Sequence, residues 1–229
     1  MRENTIQEDS VKRLVLVSLA LLLAMCVPAI AGVTNMGFET GDFTGWQTDG
    51  NVAVVTAGCS TIYPYHCASP GGGTYMALLT AGSVPISQLS ADLGIDLSLY
   101  YPSATNGSAI WQTFYSVPGT PVSFAYNFLG NDYLPFNDAA AFTTWVSPSG
   151  STYLLTLGDI GGVGNYGTTG WQYWSNTTAQ SGYYTIGFVV FNDADNILNS
   201  QLLVDTPEPT TMLLAGSGVL LLAKKLRKK

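Results

Sequence analysis

Two stretches of the chain alternate in side-chain character with a period of two, and that period commits them to strands rather than helices. In Val122 to Leu129 (VSFAYNFL), Val122, Phe124, Tyr126 and Phe128 share one face, with Ser123, Ala125 and Asn127 on the other. This is the pattern of a half-buried strand. In Gly182 to Phe191 (GYYTIGFVVF), Tyr184, Ile186, Phe188 and Val190 face one way, while Tyr183, Thr185, Val189 and Phe191 face the other. Both of its faces are apolar enough for a central strand. Further strand candidates are Val52 to Ala57, Tyr75 to Thr80, Leu97 to Tyr101, Ala109 to Val117, Ala139 to Val146, Ser151 to Leu157, Trp171 to Ser175 and Gln201 to Val204. Turn punctuation separates them, including Pro118-Gly119, Ser147-Pro148, Ser149-Gly150 and Gly161-Gly162. No stretch has the three-and-four spacing of a long amphipathic helix. About ten short strands at this spacing predict an all-β fold, an antiparallel β-sandwich or jelly roll.

The two ends stand outside this pattern. Lys12 and Arg13 precede the apolar run Leu14 to Val27, and Ala29-Ile30-Ala31 supplies a small-x-small cleavage site, so residues 1–31 read as a secretory signal peptide. A permanent anchor would need roughly twenty apolar residues, and this run has fourteen. Met25 stands where a lipidated Cys26 would require a small residue. All eight Lys and Arg lie in the terminal segments: Arg2, Lys12, Arg13, Lys224, Lys225, Arg227, Lys228 and Lys229. Residues 32–205 therefore carry carboxylates and no Lys or Arg, over a length suited to one domain. That excludes a nucleic-acid partner, because phosphates would find no counter-charge. It also excludes stabilisation by ion pairs with Lys or Arg. Carboxylates brought together there must be hydrogen-bonded, hydrated, protonated or bound to a cation. The block is nonetheless rich enough in Tyr, Phe, Trp, Val and Leu to bury a core. Its two cysteines, Cys59 and Cys67, are expected to pair in an oxidising compartment. On the chain-entropy model such a short loop contributes about 2 to 3 kcal/mol.

Residues 206–229, TPEPTTMLLAGSGVLLLAKKLRKK, join Pro207-Glu208-Pro209 to thirteen uncharged, largely apolar residues and then to a run with five Lys or Arg in six positions. This order resembles the PEP-CTERM sorting tail of bacterial surface and secreted proteins. The resemblance implies an exosortase-type protease as partner, recognition at Pro207, Glu208 and Pro209, and a precursor held in the inner membrane by a short C-terminal transmembrane helix. By the positive-inside rule the basic run stays cytoplasmic, which leaves the Pro-Glu-Pro motif at the outer face. The start of the block, NMGFETGDFTGW (Asn35 to Trp46), resembles the opening of many PEP-CTERM cargo domains and of jelly-roll carbohydrate-binding modules. That likeness implies a structural Ca²⁺ held by Glu39 and Asp205, a chemistry a hard cation would accept from oxygen ligands.

Other candidate residues come from the pattern of residue types. Two acidic loops, with Asp132 and Asp138 after one strong strand and Asp193 and Asp195 after the other, are expected to meet if the strands pair. There they offer oxygen ligands or sugar hydrogen bonds, or serve as turn caps through their own side chains. Tyr63, Tyr65, Tyr100, Tyr101, Tyr133, Tyr166, Trp171, Tyr173 and Trp174 supply rings that could stack on pyranose faces. A catalytic constellation is missing: the sole histidine, His66, sits between Tyr65 and Cys67, and no triad or multi-His metal site follows from it. The reading is an exported protein of the cell surface or extracellular matrix, not an enzyme, with a structural or adhesive role linked to exopolysaccharide. The alternatives are a dedicated carbohydrate-binding module and a polysaccharide-active hydrolase or lyase.

Overall fold

The computed structural model describes residues 32–56 and 73–206. The signal peptide, the Cys59–Cys67 pair, His66, Tyr63, Tyr65 and the tail from Pro207 lie outside the described residues.

The strands in chain order are β1 (Gln47–Asp49), β2 (Asn51–Thr56), β3 (Tyr75–Thr80), β4 (Val84–Pro85), β5 (Ala104–Ser116), β6 (Pro121–Leu129), β7 (Ala139–Ser147), β8 (Ser151–Asp159), β9 (Gln172–Thr177), β10 (Gly182–Asp193) and β11 (Gln201–Asp205). They form two antiparallel sheets. One has the order β1-β5-β10-β7-β8 with β4 also on β5, and the other β2-β3-β11-β6-β9. Strand β10 lies between β5 and β7, with Phe188 opposite Ile110 and Phe142. Its two apolar faces reflect that central place. Strand β6 pairs with β11 and β9, and its expected inward set Val122, Phe124, Tyr126 and Phe128 packs into the inter-sheet core.

That core is dominated by rings. Phe124, Phe142 and Phe188, all fully buried, meet one another at centroid distances of 4.7, 4.8 and 5.2 Å. Each buried ring of this kind stabilises the fold by about 1.5 to 3 kcal/mol through removal of apolar surface from water. Because no ion pair with Lys or Arg is available to the block, burial and hydrogen bonding carry the stability.

Two elements differ from the sequence expectation. The segment Ile86–Leu93 is an α-helix, α1, and Leu97–Leu99 is a short 3₁₀ turn instead of part of a strand. Helix α1 is short, so its apolar spacing, Ile86, Leu89 and Leu93, gives little periodic signal. Pro85 stands at its N-cap and Gly94, at φ 68°, closes it in the left-handed conformation that glycine adopts without strain. Leu89 and Leu93 bury themselves on the outer face of the first sheet with Val189, Phe191 and Ala141. A Cβ on Gly187 would come within 2.2 Å of Leu93, so glycine at that strand position permits the close approach of helix and sheet. A four-residue helix, α2 (Ile160–Val163), follows β8.

Candidate functional site

The two acidic loops do meet at one end of the sandwich, but the carboxyls of Asp132, Asp138 and Asp195 are fasteners. Asp138 is fully buried. Its Oδ1 accepts the Asp193 amide at 3.0 Å, and its Oδ2 accepts the Ser200 hydroxyl at 2.7 Å and amide at 3.3 Å. Burial pushes its pKa from the usual 3.8 up to about 6, against the lowering effect of those hydrogen bonds, with a smaller contribution from the charge of Asp132. Asp132 is 1% exposed; its Oδ1 accepts the Tyr133 amide at 2.7 Å and its main-chain carbonyl accepts the Tyr166 amide. Its pKa is raised too, first by burial and then by the charge of Asp195. Asp195 caps its own turn by accepting the Ile197 amide. The Asp193 main chain is the part held by Asp138. Asp132 and Asp138 both lie beneath the surface and serve as acceptors for neighbouring loop groups, the turn chemistry expected of such residues.

The rings named from sequence divide into several environments. Tyr133 and Tyr166 are exposed at the loop end, 6.0 Å apart, with Phe136 beside Tyr133 at 5.6 Å. Tyr100 and Tyr173 are exposed elsewhere. Tyr101 is a packing residue: its ring lies 4.6 Å from Phe191 and its hydroxyl pairs with Thr156. Trp171 packs with Met76, Leu129 and Leu203 on the outer side of the second sheet. Trp174 borders a cavity.

That cavity, about 320 Å³, opens between the edge strands β8 and β9, near the end of the sandwich opposite the acidic loops. Its floor is Phe142, Val146, Tyr184 and Ile186. The half-buried indole of Trp174 stacks on Phe124 at 5.1 Å, and Tyr153, 44% exposed, stacks at 6.5 Å to complete a column across the gap between sheets. The hydroxyls of Thr144, Thr152 and Thr177 line the same space and make no hydrogen bond among the described residues. No carboxylate lines it. Aromatic walls with unengaged hydroxyls and no charge suit a neutral polyhydroxylated ligand. Sequence reasoning found Trp174 but missed Tyr153 and the threonines, because threonine is an ordinary strand residue until two edge strands face each other.

Glu39 and Asp205 lie at the same end of the second sheet. The Glu39 carboxylate accepts the Thr74 and Tyr75 amides at 2.9 to 3.1 Å, strapping the N-terminal segment to β3. Asp205 is fully buried and accepts the Thr206 amide at 2.7 Å. A Cβ on Gly37 would lie 3.7 Å from the Glu39 side chain and 3.5 Å from the Thr206 carbonyl, which puts the two termini of the block side by side. No group of three or more acidic, His or Cys side chains among the described residues is placed to hold a metal ion.

Comparison with known proteins gives one motif and several fold-level likenesses. Residues 205–229 match the PEP-CTERM protein-sorting motif, starting at the last residue of β11. The structure is similar to TmCBM61 in complex with beta-1,4-galactotriose, at 15% identity and TM-score 0.41, over 75% of this chain and 92% of that one. It is also similar to the CBM22-1 xylan-binding domain from Paenibacillus barcinonensis, at 14% identity and TM-score 0.33 over 76% and 93%, and to the mannan-recognising module TmCBM27, at 11% and 0.33 over 77% and 92%. No curated protein matches the chain.

Proposed function

We propose that this chain is the precursor of an exported surface or matrix protein, sorted by an exosortase through Pro207-Glu208-Pro209, whose β-sandwich has a structural or adhesive role in contact with exopolysaccharide. The sorting motif at 205–229 supports export and a membrane-anchored precursor. The cleft carries the polysaccharide part of the reading: it combines a stacked Trp174–Tyr153 pair with the unengaged hydroxyls of Thr144, Thr152 and Thr177 in a space free of charge. Among polysaccharides it favours neutral segments, since an acidic domain without Lys or Arg repels anionic ones. The test is a glycan array, together with the producing cell's own exopolysaccharide, probed with the mature protein. Saturable binding that Tyr153→Ala weakens supports the adhesive role. No binding to any glycan removes it. Release of shortened products from a bound glycan would replace it with the hydrolase or lyase alternative.

The same proposal includes a structural Ca²⁺ near Glu39 and Asp205, consistent with two carboxylates gathered at one end of a block that holds no competing ammonium side chain. A cation bound only by the folded state raises the melting temperature by mass action. EDTA is therefore expected to lower the Tm of the mature protein and Ca²⁺ to restore it. An identical melting curve in EDTA rejects the site.

A further inference from the structure

Among the described residues, the cleft between β8 and β9 is walled at both ends. Toward the acidic loops the ring column of Phe124, Trp174 and Tyr153 crosses the gap between the sheets, and beyond it Leu155 and Leu157 pack into the core. Farther along, a Cβ on Gly158 would stand 2.8 Å from the Cβ of Phe128, so glycine there lets β8 lie directly on β6 and shuts the gap. At the other end Nε2 of Gln180 donates to the Ser149 hydroxyl at 2.6 Å, which straps the β9–β10 connection to the β7–β8 turn. The strap is held from below. The Gln180 amide donates to the Tyr184 hydroxyl at 3.2 Å, and that hydroxyl donates to the Gln180 carbonyl at 3.0 Å. Beside it Thr178 is 6% exposed and accepts the Thr120 amide at 3.2 Å.

Two walls decide what can enter. A groove that takes the interior of a polysaccharide needs two open ends, because the chain must run in at one and out at the other. A recess closed at both ends admits a sugar only from the side, through the mouth between the two edge strands, and the rest of the chain leaves by that mouth. Volume agrees with this: at about 30 Å³ for a water-sized group, 320 Å³ holds on the order of ten such groups, the size of one pentose or hexose unit. The rings agree too. Trp174 and Tyr153 stand as one end wall, not as a row along a track, so they offer stacking to one pyranose.

We infer that the recess takes a terminal or single-unit branch sugar of a neutral polysaccharide, one unit per site, with the Gln180–Ser149 strap as the wall that excludes the interior of a chain. Adhesion by this domain then follows the number of chain ends and branches in the matrix, not the mass of polymer. This rests on the reading of the cleft as the polysaccharide contact.

The experiment is calorimetric titration of the mature protein with glucose, galactose, mannose and xylose, each as the monosaccharide and as linear oligomers of two and of six units. For a sugar that binds, the Kd per molecule is expected to agree within about threefold between the two oligomers, and the monosaccharide is expected to compete with both. Tightening by about tenfold or more from two units to six overturns end recognition and leaves the polysaccharide reading standing. Binding of none of these sugars, together with no binding of the producing cell's own exopolysaccharide, overturns both. Should that exopolysaccharide alone bind, partial acid hydrolysis must raise the amount of protein bound per mass of polymer, and an unchanged or lower amount overturns end recognition. Gln180→Ala removes the strap and leaves the rings in place, so the longer oligomer should now bind more tightly than the shorter. A Kd that stays independent of length in this variant overturns the strap as the excluding wall.

Discussion

The two ends of the sandwich use polar residues in opposite ways. At the loop end, polarity is spent internally: Asp138 is buried and holds Asp193 and Ser200, while the Asp132 carboxyl holds the Tyr133 amide. At the cleft between β8 and β9 the hydroxyls of Thr144, Thr152 and Thr177 make no hydrogen bond among the described residues, and they are set against rings whose other faces are already packed. The acid-rich end has the more conspicuous composition, and the neutral end has the open surface. In a domain without Lys or Arg, a buried carboxylate is stable only when backbone amides and hydroxyls surround it, so acids are drawn into structural work.

The largest effect should come from Asp138→Ala. It leaves the Asp193 amide and the Ser200 hydroxyl without their acceptor, and urea unfolding is expected to show a loss of about 2 to 4 kcal/mol. A loss below 0.5 kcal/mol would mean that the loop end is not fastened by this residue. Tyr153→Ala comes next. The ring is nearly half exposed, so stability should change little, whereas glycan affinity should fall about tenfold, the size expected for one lost stacking partner. Unaltered affinity in a chain that binds glycan would move the binding surface away from the cleft.

A smaller effect is the pH dependence of stability. The pKa of folded Asp138 is raised to about 6, so its contribution is present in full below the usual 3.8 and is lost as pH rises through about 6. Unfolding free energy should accordingly decline between about pH 4 and 6, and Asp138→Asn should flatten that decline; an unaltered slope in the variant would assign it to another acid. The smallest change is expected from Tyr166→Ala at the loop end. This 63% exposed ring should cost no more than about 0.5 kcal/mol and leave glycan affinity intact. Abolished binding in that variant would reverse the contrast between the ends.

Much of the architecture was legible because strand alternation is local. The faces of β6 and β10 follow from Val122 to Phe128 and Tyr184 to Val190, and the central place of β10 from its two apolar faces. Helix α1 escaped notice because eight residues hold only two turns, and Leu97–Leu99 resembled a strand because of its two leucines, although Leu97 packs on the outer face of a sheet and Leu99 is exposed. Tyr101 looked like a free ring and is packed on Phe191. Such errors share a cause: a side chain's neighbours across sheets are not encoded in its own spacing.

What chain order alone decided is therefore the fold class, the separation of the basic termini from an acidic block, and the sorting motif, since each depends on residues adjacent in sequence. Tertiary structure decided which carboxyls are buried, that Glu39 and Thr206 lie near each other across the block, and that β8 and β9 face each other over a cleft. Those outcomes depend on sheet order, which places distant strands together through burial and hydrogen bonding that no local pattern records.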